Sequence, residues 1–161
     1  MRGTVDLDAL LAEARQRLAP VPREALGRLV LPGGLRRALG GQPRIVPDGE
    51  AWRVGVLLIG DGAVYEVGDV LRASPERRRG FTAESARRRA DAAAMCVRGG
   101  FAEGATVNVD HAPIDLAAVA AGGRSGPLDG RDGVTVRWTS AGATMPLEAY
   151  LRERIDMLLE R

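Results

Sequence analysis

The stretch that decides the predicted fold is residues 51–73, Ala-Trp-Arg-Val-Gly-Val-Leu-Leu-Ile-Gly-Asp-Gly-Ala-Val-Tyr-Glu-Val-Gly-Asp-Val-Leu-Arg-Ala. Two runs rich in β-branched and aromatic residues flank Asp61 and Gly62. This dipeptide favours a two-residue type I′ turn, because both of its residues tolerate the positive φ that such a turn needs. The stretch therefore predicts a β-hairpin that folds back at residues 61 and 62.

The turn also sets the predicted register of the hairpin. With residues 61 and 62 as the loop, Leu58 lies opposite Tyr65, and Val54 lies opposite Asp69. Because side chains alternate between the two faces of a strand, one face is predicted to pack on the core. That face carries Trp52, Val54, Val56, Leu58, Tyr65, Val67 and Leu71.

The second face of the predicted hairpin places Gly55 opposite Gly68. Glycine in a strand often marks a bulge or a close approach by another backbone, a packed helix or a ligand. An alanine-rich segment, residues 82–98, has helical spacing and small side chains on its apolar face. This helix is predicted to lie over the two glycines.

The rest of the chain adds helices and strands on both sides of the hairpin. Helical spacing, proline and glycine predict helices over 6–18, 22–30, 35–39, 82–98 and 113–121, with a last helix starting at 144–146. Runs typical of strands cover 44–46, 105–110 and 134–139. This order predicts a single α+β domain over 1–161, with 1–41 as a helical N-terminal arm packed on it. The predicted sheet is mixed or antiparallel, has four to five strands built on the 51–73 hairpin, and is covered by helices.

Composition narrows the classes of function. No apolar run reaches the roughly 20 residues of a membrane span, so no membrane partner is predicted. The single cysteine, Cys96, excludes an internal disulfide and fits a reducing cytoplasm. All 23 of the Lys and Arg residues are arginine, which excludes chemistry that depends on lysine. Aromatic residues make up only 4% of the chain, so nucleic-acid binding by base stacking is not expected.

Charged residues near the start of the alanine-rich helix form the candidate ligand site. A helix N-terminus favours anions through its free N–H groups and its dipole, and Thr82 is the predicted N-cap. Asp69 falls on the apolar face of the hairpin and needs a cationic partner if it is buried, for which Arg72 and Arg79 are candidates. A solvated surface with local ion pairs is the alternative interpretation. The predicted ligand-binding residues are Asp69, Arg72, Arg79, Phe81, Thr82, Glu84 and Arg88.

Other chemical groups give little support for a catalytic or metal site. His111 is the only histidine, and zinc sites use several His or Cys ligands, so no metal and no cofactor is predicted. Ser85 stands in neither Gly-x-Ser-x-Gly nor Ser-x-x-Lys, and Cys96 is predicted to pack in the core. The catalytic residues stay unassigned at this stage.

Several short segments resemble a family of short bacterial proteins, some of which are labelled glutaminase. The matching segments include Gly68-Asp69-Val70-Leu71-Arg72-Ala73, Arg98-Gly99-Gly100-Phe101, Pro113-Ile114-Asp115-Leu116 and Met145-Pro146-Leu147-Glu148. Together with segments at 49–58 and 79–84 they extend over most of the chain after residue 49. The resemblance implies an amide hydrolase as an alternative function, with no catalytic residues to carry over.

The sequence thus predicts a cytoplasmic α+β protein that binds a small anionic ligand or a protein partner. The last helix, with Leu158 and Leu159 near its end, is predicted either to cover its own sheet or to form a homodimer. Amide hydrolysis is the alternative function, and weak nucleic-acid binding through the arginines is a further one.

Overall fold

The computed structural model describes residues 6–76, 80 and 83–161, and within them the fold is α+β. The helices are α1 (Leu7–Leu18), α2 (Gly34–Ala38), α3 (Glu84–Arg98), α4 (Leu116–Ala120) and α5 (Leu147–Leu159). The strands are β1 (Glu24–Val30), β2 (Arg44–Val54), β3 (Leu57–Ile59), β4 (Val64–Glu66), β5 (Asp69–Arg72), β6 (Thr106–Val109), β7 (Ala112–Pro113), β8 (Arg124–Ser125), β9 (Leu128–Asp129), β10 (Thr135–Arg137) and β11 (Thr144–Pro146). The described residues therefore hold eleven strands, more than the predicted four to five.

The chain divides into two compact units, each made of segments that are distant in sequence. The first, called the α5 unit, comprises Met1–Arg23, Ala51–Val67 and His111–Arg161. The second, called the α3 unit, comprises Glu24–Glu50 and Gly68–Asp110. The single domain over 1–161 and its arm over 1–41 stay predictions.

Two small sheets and two long helices enclose the core of the α5 unit. The end of β2 pairs with β3, β3 with β4 and β4 with β7, all antiparallel, and β8 to β11 form a second antiparallel sheet. Helices α1 and α5 bury their apolar faces in one shared cluster with these strands. The buried face of α5 consists of Leu147, Tyr150, Leu151 and Ile155, so this helix covers its own sheets.

The predicted turn at residues 61 and 62 is present, but the hairpin is much shorter than predicted. Leu58 pairs with Tyr65 as expected, and the Gly60 N–H donates to the Ala63 carbonyl at 2.9 Å. Neither Asp61 nor Gly62 has positive φ, so the prediction of a type I′ turn is wrong.

A second reversal, at Gly55, breaks the long hairpin predicted over 51–73. Val54 pairs with Leu57 instead of Asp69, and strand β5 pairs antiparallel with β6. For the same reason the predicted core face is correct only for Trp52, Val54, Leu58 and Leu71, which are buried. Once the chain folds back at Gly55, the side chains that line the core on this sheet are Trp52, Val54, Leu57, Ile59 and Val64. Val56, Tyr65 and Val67 are only partly buried.

Gly55 contacts helix α5, not the alanine-rich helix. Its φ is +60°, and a Cβ atom there would fall on the hydroxyl of Tyr150. That hydroxyl accepts a hydrogen bond from the Val56 N–H at 2.9 Å. Gly68 meets the Val109 and Asp110 carbonyls, so the prediction that one helix covers both glycines is wrong.

The α3 unit contains one mixed sheet and the alanine-rich helix. Strand β5 pairs antiparallel with β6, and β6 pairs parallel with β1. A small core packs under α3, formed by Ile45, Leu71, Ala73, Cys96, Val107 and Val109. Helix α3 ends at Arg98 before Gly99, as predicted, whereas its N-cap position belongs to Ala83 and not to Thr82.

Residues 24–30 form strand β1, so the helix predicted over 22–30 is wrong. Gly27 allows the close approach of its neighbours, since a Cβ there would lie 2.6 Å from Ile45 Cγ2 and 2.7 Å from Val107 Cγ1. Pairing with β6 involves residues about eighty positions away. Such tertiary pairing overrides the weak local preference that a proline at 22 provides.

Candidate ligand pocket beside helix α3

A pocket of about 630 Å³ lies in the α3 unit. Helix α3 supplies one side of it, and strands β1, β2, β5 and β6 supply the other. The lining residues are Leu29, Ile45, Asp69, Leu71, Ser85, Ala86, Arg88, Arg89, Ala92, Met95, Val109 and Asp110. A concave, mainly apolar pocket with a few converging polar groups is the usual form of a small-molecule site.

The apolar part of the pocket comes from alternation along the strands and from small residues on the helix. Leu71 and Asp69 are two residues apart on β5, so both point to the pocket side of the sheet. Ile45, Leu71 and Val109 are buried and form the floor. Ala86 and Ala92 have short side chains that leave the pocket open between α3 and the sheet.

Two guanidinium groups stand at the pocket on the helix side. Arg88 is 74% exposed, and its nearest recorded anion is Glu84, one turn earlier, at 4.0 Å. An exposed pair at that distance contributes little, so the charge of Arg88 is open to a ligand. Arg89 donates one hydrogen bond to the Val70 carbonyl at 3.2 Å, which leaves most of its N–H donors for other acceptors.

Two carboxylates, Asp69 and Asp110, complete the polar lining. Asp110 has φ of 55°, in the left-handed region, which costs an ordinary L-residue roughly 1–2 kcal/mol and which Asp tolerates better than most. The neighbouring Gly68 makes this conformation accessible, because any side chain there would collide with the Asp110 carbonyl. Asp69 is exposed, so the prediction that it is buried on the hairpin's apolar face is wrong.

The structure brings together only part of the predicted site. Asp69 and Arg88 line the same pocket, and Glu84 pairs with Arg88. Arg72 lies three residues after Asp69 on β5 and does not line this pocket. It lines an adjoining groove with Ala90 and Thr106, which shares Leu71, Ala86 and Arg89 with the pocket. The predicted residues Arg79, Phe81 and Thr82 lie outside the described residues.

Sequence reasoning missed several lining residues that come from distant segments. Leu29 and Ile45 belong to strands whose position beside α3 depends on non-local pairing. Arg89 could have been predicted from the sequence as a lining residue, because helical spacing places it one turn after Ser85 and Ala86. Asp110 is the last residue of the strand predicted over 105–110, but no local sequence pattern indicated its positive φ.

Cys96 is fully buried in the α3 unit and does not line the pocket. Desolvation raises the pKa of its thiol above the ordinary value. A buried, protonated thiol is a poor nucleophile, which argues against an amide hydrolase that uses this cysteine. Across residues 6–76, 80 and 83–161, no three His, Cys, Asp or Glu side chains come together as a metal site would require.

No protein-family model, curated protein or solved structure matches the chain. The resemblance to short bacterial proteins labelled glutaminase stays a prediction. None of the helices in the described part of the chain has the length and apolar character needed to cross a bilayer.

Proposed function

We propose that the protein binds a small amphipathic anion in the pocket beside α3. The observation that carries this proposal is the pair Arg88 and Arg89 beside an apolar floor in a pocket of about 630 Å³. A guanidinium presents a planar fork of N–H donors that matches carboxylate and phosphate oxygens. The floor of Ile45, Leu71 and Val109 suits the apolar body of such a ligand.

The two carboxylates restrict the class of ligand further. Asp69 and Asp110 disfavour a ligand that carries several negative groups, whereas each can accept a hydrogen bond from a hydroxyl or an amine. The proposed ligand therefore has an acidic group for the arginines, a polar hydrogen-bond donor for the carboxylates, and an apolar body between them. A concave site of this size favours a small molecule over the protein partner that the sequence left open.

Titration with 8-anilinonaphthalene-1-sulfonate tests the anionic and apolar parts of this site. The dye combines an aromatic body with a sulfonate, and its fluorescence rises when it enters an apolar pocket. We expect saturable binding that decanoate displaces and acetate does not, because acetate lacks an apolar body. Replacing Arg88 and Arg89 together by Gln removes two charge-assisted hydrogen bonds, which weakens dye binding by about tenfold or more.

Arg87→Gln is the matched control for the arginine variant. Arg87 is an exposed arginine on the same helix and does not line the pocket. We expect wild-type dye binding in this variant, with unchanged melting temperatures in both. Equal affinity in wild type and in the Arg88 and Arg89 double variant contradicts the proposal. A stepwise loss with each of the three arginines, Arg87 included, favours the alternative of non-specific polyanion or nucleic-acid binding.

A homodimer and a cytoplasmic location belong to the same proposal. Helix α5 buries its apolar face in its own unit, so it offers little for a second copy. The most exposed leucines are Leu35 on α2, at 78%, and Leu39 just after it, at 80%, and Leu31 before this helix is 61% exposed. Light scattering at two protein concentrations measures the mass directly. The reduced, buried Cys96 fits the reducing conditions of the cytoplasm.

A further inference from the structure

A second pocket, of about 340 Å³, lies in the α5 unit and shares no lining residue with the pocket described above. It is formed by the reversal at Gly55, the end of β4, and the segment that follows β10. The lining residues are Arg53, Gly55, Val56, Glu66, Val67, Pro127, Arg137, Trp138, Thr139 and Ser140. Two arginines, one tryptophan and two hydroxyl side chains thus face a common space.

The two arginines of this pocket lack the oxygen partners that most other arginines of the unit have. Most arginines of the unit have an oxygen partner: Arg15, Arg17, Arg23, Arg124, Arg131 and Arg152. Within the described residues, the side chains of Arg53 and Arg137 form no ion pair and no hydrogen bond. With these two arginines against one acid, Glu66, the described lining carries a net positive charge, which favours an anion.

A third arginine stands next to the same pocket and is held by aromatic rings. The guanidinium carbon of Arg154 lies 5.7 Å from the centre of the Trp138 ring and 5.5 Å from that of Tyr150. Its Nε is buried and has no hydrogen-bond partner among the described residues. Arg154 adds positive charge beside Gly55 and Trp138, and it forms no ion pair with an acid of the described residues.

Trp138 supplies the aromatic surface of the pocket. It is 38% exposed, whereas the chain's other tryptophan, Trp52, is only 4% exposed. Trp138 is fixed at its backbone by a hydrogen bond from its N–H to the Ala143 carbonyl at 3.0 Å. An exposed indole on a held backbone, next to arginines, offers a stacking surface for a planar ring.

We propose that this pocket binds a small aromatic phosphate, with the ring stacked on Trp138 and the phosphate held by Arg53 and Arg137. Arginine matches phosphate oxygens through two parallel N–H donors. The hydroxyls of Thr139 and Ser140 can donate to the same anion. Glu66 is the one acid among the described lining residues, and its carboxylate can accept a hydrogen bond from an amino group on the ring.

Adenosine monophosphate is the probe that contains both recognised parts, and adenosine and inorganic phosphate are the two halves. Titration is followed by quenching of tryptophan fluorescence and, independently, by isothermal calorimetry. We expect saturable binding of adenosine monophosphate, at least tenfold tighter than either half. Trp138→Phe keeps a weakened calorimetric signal and loses most of the quenching, since Trp52 is buried.

The arginine variants separate a site from general attraction to a basic protein. Arg137→Gln and Arg53→Gln should each weaken binding of adenosine monophosphate at least fivefold. Arg152→Gln is the control, because Arg152 is an exposed arginine on α5 that pairs with Glu148 at 3.0 Å. The proposal is overturned if inorganic phosphate binds as well as the nucleotide, if Arg152→Gln weakens binding as much as Arg137→Gln, or if nothing binds at millimolar ligand. The Arg88 and Arg89 double variant should bind adenosine monophosphate normally, which keeps the two pockets distinguishable.

Discussion

Replacing Gly55 by Ala should destabilise the α5 unit more than any ordinary surface substitution. Gly55 has φ of +60°, which costs a non-glycine residue roughly 1–2 kcal/mol. The new Cβ would also fall on the Tyr150 hydroxyl, and Tyr150 is only 1% exposed, so its ring has little room to move. Overpacking of this kind costs about 1–3 kcal/mol.

The two contributions together give a loss of about 3 kcal/mol in the free energy of unfolding. For a chain of this length about 1 kcal/mol corresponds to roughly 2–4 °C, so the melting temperature should fall by about 10 °C. Urea titration followed by circular dichroism measures the free energy, and calorimetry measures the melting temperature. Gly62→Ala is the control, because a Cβ there meets open space and its φ is not positive.

A double-mutant cycle with Tyr150→Phe tests the proposed contact itself. Tyr150→Phe alone leaves the Val56 N–H without its acceptor, at a cost of about 1–3 kcal/mol. In that background Gly55→Ala no longer meets the hydroxyl, and the nearest ring atom, Cζ, is 3.0 Å from the new Cβ. The double variant should therefore lose at least about 1 kcal/mol less than the sum of the single losses, as coupled neighbours do. Strict additivity would refute the placement of Tyr150 against the reversal at Gly55.

Three further predictions concern buried and charged groups elsewhere. Cys96 should react with Ellman's reagent at pH 8 only when the protein unfolds, because its thiol is buried and the pKa of that thiol is raised. Fast reaction of the folded protein would contradict the structure. Asn108→Ala should lower the free energy of unfolding by about 2 kcal/mol, because Asn108 is fully buried and its side chain donates a hydrogen bond to Glu24 Oε2 at 2.7 Å. Urea titration measures this change in free energy. The hydrogen bond from Arg23 lowers the pKa of Asp61. The ionised Asp61 carboxylate therefore stabilises the fold above a pH of about 4, and this stabilisation is lost as the pH falls through the lowered pKa of Asp61. Asp61→Asn should therefore make the acid-side loss of stability less steep, which melting curves between pH 2 and pH 6 can show.

Local signals predicted local features of the fold. The turn at 61 and 62, the pairing of Leu58 with Tyr65 and the end of α3 at Arg98 depend on a few neighbouring residues, and the structure confirms them. The Asp6 carboxylate caps α1 by accepting hydrogen bonds from the Asp8 and Ala9 N–H groups. These features need no knowledge of distant contacts.

Features that depend on distant contacts were missed. The reversal at Gly55 is fixed by Tyr150, which lies about a hundred residues later and could not be recognised from the apolar run around it. Strand β5 pairs with β6 instead of extending the hairpin, and this moved Asp69 to the pocket of the α3 unit. The sequence alone could have predicted that Arg72 and Asp69 do not share a face of the strand, since residues three apart on a strand point to opposite faces.

Hydrogen–deuterium exchange with and without decanoate tests the proposed α3 pocket most directly, because it locates the ligand along the chain. Decanoate at saturation should slow exchange in β5, in β6 and in the part of α3 that carries Arg88, Arg89 and Met95. Exchange in α1 and α5 should stay unchanged. Slowed exchange confined to α1 and α5, or no change anywhere at a concentration that displaces the dye, would contradict the assignment of this pocket as the binding site.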